Sequence, residues 1–163
     1  MAREENTDAK IKFIDRPQMR GILRYKVFKN GVLIEDVEHK NLIVNGAREV
    51  MAKLVSGVFS GRNITKIAFG ESGVIPNEND TEIRNPFLKD IHEISFPAPG
   101  EVQFDWGLTK YEANGKAICE FGLLTDDGTL FARRIREDED GNPAGPINKE
   151  NDISVVGQWT LVF

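Results

Sequence analysis

The chain has 163 residues, 40% of them hydrophobic and 29% charged, with a formal net charge of −5 at pH 7. That length and composition fit one globular domain with its own core and exclude a disordered chain. The acidic balance speaks against nucleic acid as a main partner, because phosphate binding needs clustered Lys and Arg.

Residues 1–19 read as a flexible, polar N-terminal arm, and 20–163 as a β-rich domain. Met1 to Lys10 lack the apolar stretch of a secretory signal. No apolar run approaches the ~18 residues that a membrane span needs, so no membrane insertion is expected. Residues 20–39 form a hairpin: Gly21–Lys29 and Val32–Glu38 are β-prone runs around Asn30-Gly31, a strong two-residue turn signal. Leu23, Tyr25 and Val27 make its cleaner apolar face.

One amphipathic helix follows. Asn45 is the predicted N-cap and Gly57 the C′ residue. Ala47, Val50, Met51, Leu54 and Val55 supply a stripe at helical spacing. The rest reads as β. Ile64–Phe69 is a strand ending at Gly70, and Glu71–Asn85 is a long loop. Ile91–Phe96 is a strand closed by Pro97. Val102, Phe104, Trp106 and Leu108 alternate, so one face of that strand is buried. Asn114-Gly115 turns into Lys116–Leu124, and Asp126-Asp127-Gly128 turns into Thr129–Arg136. Glu137–Asn151 is an acidic Gly/Pro loop before a last strand, Ile153–Phe163. About eight strands and one helix predict a mainly β fold: an antiparallel β-sandwich or barrel-like domain.

Few residues suggest chemistry. The lone cysteine, Cys119, rules out an internal disulfide and a Cys-based zinc site, and it reads as a small buried strand residue. His39 and His92 sit at strand ends and read as surface or packing residues. No serine lies in a G-x-S-x-G elbow, and Gly70-Glu71-Ser72-Gly73 lacks the Lys of a phosphate-cradling loop. Glu101, Asp105 and Glu120 are carboxylates in or near strands, with no spacing that pairs any two of them. Asp138, Asp140 and Asn142 alternate as in a calcium loop, yet Pro143 stands where its Gly belongs and Lys149 where its Glu belongs. The basic run Ala132-Arg133-Arg134-Ile135-Arg136, followed by Glu137 to Asp140, reads as a solvated strand end. Trp106 and Trp159 read as core. The expectation is therefore no catalytic, metal or cofactor residues and a non-enzymatic role.

Several short motifs occur in a particular order. Asn41-Leu42-Ile43-Val44-Asn45-Gly46-Ala47-Arg48 precedes the helix, and Ile64-Thr65-Lys66-Ile67-Ala68-Phe69-Gly70 follows it. Then come Pro76, Asp80-Thr81, Glu120-Phe121-Gly122-Leu123-Leu124, Asp127-Gly128-Thr129-Leu130-Phe131-Ala132-Arg133, Lys149, and Trp159 to Phe163. Over residues 41–163 this order resembles the N-terminal domain of tail-fibre and tail-collar proteins of tailed bacteriophages. The resemblance implies a virion protein assembled in the bacterial host cytoplasm, acting through contacts with other tail proteins. It also implies a homo-oligomer, trimer or hexamer. The chain stops at Phe163 rather than running into a shaft, and a hairpin precedes the matching region. Both favour a baseplate, tail-tip or fibre-attachment component. The alternative expectation is a carbohydrate- or cell-surface-binding β-sandwich, which calls for an exposed Trp or Tyr beside loop carboxylates. A third is a carboxylate-based hydrolase.

Overall fold

The computed structural model describes residues 18–163. The arm predicted over 1–19 lies outside those residues up to Pro17. Gln18 and Met19 are described, and Met19 packs on the core.

The chain builds β1 (Arg20–Lys29), β2 (Val32–Ile43), α1 (Asn45–Val55), β3 (Ile64–Gly70), β4 (Phe87–Asp90), β5 (Glu93–Ser95), β6 (Glu101–Leu108), β7 (Ala117–Ile118), β8 (Glu120–Thr125), β9 (Leu130–Ile135), β10 (Ile147–Asn148) and β11 (Ile153–Val162). Nine strands form one curled antiparallel sheet in the order β4-β3-β8-β9-β2-β1-β11-β6-β5, and β10 pairs with β7 beside it. The result is a half-barrel, as the alternating patterns predict.

Local chemistry explains the main turns. Asn30 and Gly31 both have positive φ, the conformation that matches hairpin twist. β2 is long because it serves both halves of the sheet. Val32–Asn41 pair with β1, and Leu42 and Ile43 pair with β9. The two outer strands of the sheet are consecutive in the chain. β4 pairs with β3, then the Ile91 N–H bonds the Thr65 carbonyl and the His92 N–H bonds the Asp105 carbonyl, and β5 pairs with β6. The strand predicted over Ile91–Phe96 is therefore shorter, and a second strand, Phe87–Asp90, precedes it. The strand predicted over Lys116–Leu124 is split at Cys119, whose backbone bonds outward to Gly70 and Arg136. With β4, β7 and β10 added, the predicted eight strands become eleven among the described residues.

The inner face carries the core. Leu23, Tyr25 and Val27 of β1 meet Val155, Trp159 and Leu161 of β11, and Phe104, Trp106 and Leu108 of β6. Tyr25, Phe69, Trp106 and Phe121 form an aromatic cluster with ring centroids 4.9–5.9 Å apart. Gly157 makes room for it: a Cβ there would stand 2.3 Å from Trp106 Cζ2. Phe163, expected on the buried parity, is half exposed at the end of the last strand.

α1 starts one residue earlier than its sequence suggests. Val44 occupies the N-cap position without a side-chain cap, and Asn45 is already helical. Asn45 uses its side chain elsewhere, donating from Nδ2 to Asn79 Oδ1 at 2.9 Å, while its N–H bonds the Glu78 carbonyl at 2.8 Å. A neighbouring loop thus supplies the acceptors that a capping side chain would give. The other end is as predicted. The Gly57 N–H bonds Leu54, the Val58 N–H bonds Lys53, and Gly57 has φ +91°, a Schellman arrangement. Ala47 and Val50 are buried and Met51 and Leu54 partly so, but Val55 is exposed. At about 100° per residue it lies about 140° round from Val50, off the packed stripe.

Candidate functional site: a charge-clamped loop

The most ordered polar arrangement lies on the outer face of β3, β8 and β9. Strand alternation sends Ile67, Phe69, Phe121 and Leu123 inward and Ala68, Gly70, Glu120 and Gly122 outward. The outward set is small except for Glu120, so the loop Glu71–Asn85 can lie flat against the sheet. Ile83 fills the space. A Cβ at Gly122 would come within 2.6 Å of it, and one at Gly70 within 2.3 Å. Ile83, Ala68, Val44 and Leu130 form a second apolar cluster beneath the loop.

Buried charge completes the attachment. Glu120 is 1% exposed and Arg133 4%. Arg133 Nε donates to Glu120 Oε2 at 2.7 Å, and Glu120 Oε1 accepts the N–H groups of Ser72 (3.1 Å) and Arg84 (2.8 Å). One carboxylate therefore grips both ends of the loop. Arg133 reaches its middle, donating from Nη1 to Asp80 Oδ2 and from Nη2 to the Val74 carbonyl, both at 2.9 Å. Asp80 also accepts the Asn77 N–H, and Ser72 Oγ accepts that of Val74. The segment is an Ω-like loop with a fixed backbone. Its apex presents Val74 and Ile75 to solvent at 70% and 68% exposure. Three N–H donors occupy Glu120, so this carboxylate holds a loop rather than facing a bound molecule.

The basic run is thus not a solvated strand end. Arg136 is buried as well: it pairs bidentately with Glu35 at 2.8 and 3.1 Å, and donates to the Gly145 carbonyl and to Tyr25 Oη. Burial pushes the Tyr25 phenol pKa up. Arg134 pairs with Glu137. The acidic loop that follows is folded back on itself. Asp138 Oδ1 accepts the N–H groups of Asp140 and Asn142, so the alternating Asp138, Asp140 and Asn142 build a turn. Among the described residues, no three His, Cys, Asp or Glu side chains gather in a metal-holding group. Lys149 is fully buried and donates from Nζ to Asn114 Oδ1 (2.7 Å) and the Glu150 carbonyl (3.0 Å). Burial lowers its pKa.

The remaining candidates are scattered. His92 is exposed, Cys119 is half-buried with its thiol pKa raised by burial, and Asp105 accepts a bond from Gln103. Trp106 and Trp159 are core residues, as expected; Trp159 Nε1 donates to Asn41 Oδ1 at 3.0 Å. The exposed aromatic nearest to the carbohydrate-binding expectation is Tyr111, with Lys110 Nζ 5.0 Å from its ring centroid.

His39 is half-buried and its Nε2 has no partner. Burial, and then the nearby Arg134 charge, hold its pKa below the ordinary value. The unfolded chain takes up this proton more readily than the folded one. The neutral histidine's contribution is therefore complete above the unfolded pKa of about 6.5, and is lost as pH falls from there through the folded value. Urea melts at descending pH should show stability dropping in this window, and His39→Gln should flatten the drop. Equal slopes in both proteins would contradict this assignment.

Fold and clamp together define a curled, barrel-like antiparallel β domain that carries a pinned surface loop. Set against protein-family models, characterised proteins and solved structures, the chain finds no match.

Proposed function

We propose that this protein is a structural component of a phage or prophage tail, in the baseplate, tail tip or fibre attachment, and works through protein–protein contacts. One observation carries the reading: buried ion pairs fix the backbone of Glu71–Asn85, while its apex leaves Val74 and Ile75 in water. An aliphatic pair on a rigid support loses little conformational entropy on contact. Covering such side chains contributes about 1.5–3 kcal/mol each. The motifs of the phage-tail resemblance gain a joint physical role here, since Glu120, Gly122, Arg133 and Asp80 all build this one clamp.

Mass spectrometry of purified virions from the host strain tests the proposal. The chain should be present, and a Val74→Asp/Ile75→Asp double variant should enter particles about tenfold less. Its melting should stay within about 0.5 kcal/mol, as for ordinary surface changes. Absence from the particles, or normal incorporation of the double variant, would sink the proposal. Light scattering on the purified protein is expected to give a trimer or hexamer.

A further inference from the structure

An apolar groove of about 210 Å³ opens at one end of the half-barrel, between α1 and the ends of β5, β6 and β11. Met51 and Leu54 form one wall, and Ile94, Val102, Leu161 and Phe163 the other. Its lining is almost wholly apolar, and Ile94 and Phe163 stand half exposed on its rim. An apolar recess flanked by exposed apolar side chains is the kind of surface that a further chain segment covers.

The course of the chain says which segment. Arg20 is the first residue of β1 and lies opposite Val162, which places Met19 next to Phe163 across the ladder. Met19 packs on the same core that floors the groove. Whatever precedes Gln18 therefore leaves the domain at the groove's own end. Residues 1–17 carry three large apolar residues within four positions, Ile11, Phe13 and Ile14, in an otherwise polar stretch. Extended chain covers about 3.3–3.6 Å per residue, so Ile14 reaches about 14 Å from Gln18 and Phe13 about 17 Å. A short tether also gives the segment an effective concentration in the millimolar range, which favours it over the same segment of another molecule.

We propose that the Ile11–Ile14 segment seats in this groove of its own molecule and closes the open end of the barrel.

Amide hydrogen exchange on the full chain, read by NMR over a tenfold dilution series, tests this. Amides of residues 12–14 should exchange about tenfold or more slowly than in an unstructured peptide, at every concentration. Phe13→Asp, outside the folded domain, and Ile94→Asp, on the exposed rim, should each abolish that protection. Exchange at the unstructured rate would overturn the proposal, and so would protection that survives Ile94→Asp. Protection that vanishes on dilution would also overturn it, because the groove would then be filled by another copy.

Discussion

Glu120→Ala should lower the free energy of unfolding by about 3–5 kcal/mol, the range for removing one partner of a buried ion pair. The loss has three sources. Arg133 would keep its charge in a site that is 4% exposed, with its Nε left without an acceptor. The N–H groups of Ser72 and Arg84 would lose their shared acceptor. Ile83 would then no longer be held over Gly70 and Gly122. A second variant separates the charge from the packing. In Glu120→Leu/Arg133→Met both charges go, and no buried ion is stranded, so part of the loss should return. Urea melts give the stabilities, and hydrogen exchange over 71–85 shows whether the loop opens. A cost below about 1 kcal/mol for Glu120→Ala would mean that water reaches the clamp.

Trp159→Ala and Phe121→Ala should each cost about 3–5 kcal/mol, as large-to-small changes in packed cores do. Both side chains are fully buried. Phe121 touches three other aromatic rings, with centroids at 4.9, 5.9 and 5.9 Å. Trp159 adds a polar loss, because Asn41 Oδ1 would lose the indole N–H it accepts at 3.0 Å. Denaturant melts with unchanged m-values would assign the effect to the folded core. Losses under about 1 kcal/mol would show that the cavity collapses or that the rings pack loosely.

What the sequence revealed follows from the range of each signal. Alternation in Val102–Leu108, the Asn30-Gly31 turn and the Gly57 helix end are local, and each stands where the pattern puts it. Buried charge is not local. Arg133 meets Asp80 across 53 positions and Arg136 meets Glu35 across 101, so a run of arginines beside acids reads as a wet surface until the fold brings their partners in. The strand Phe87–Asp90 escaped notice because it is short, follows Pro86, and leaves Leu88 half exposed on the edge of the sheet. Asn45 resembled a cap because its real partner, the Glu78–Asn79 turn, lies in another part of the chain. The loop Glu71–Asn85 was legible as a loop, but nothing in its composition announced that it is fastened at both ends and in the middle.

The neighbourhood of β1 and β11 governs how the protein can be made. These strands pair from Arg20 opposite Val162 to Lys29 opposite Ile153, in the middle of the nine-stranded sheet. Translation delivers one of them first and the other last. At about 5–20 residues per second, the wait between them is roughly 7–25 s. Until Ile153–Val162 clears the ribosome, the β1–β2 hairpin has no partner on one side, and Leu23, Tyr25 and Val27 have no facing layer from β11. The β5–β6 pair has no link to the hairpin either, because β11 alone joins them. Folding of this half of the barrel is therefore post-translational, and the nascent chain spends that interval as a natural client for chaperones.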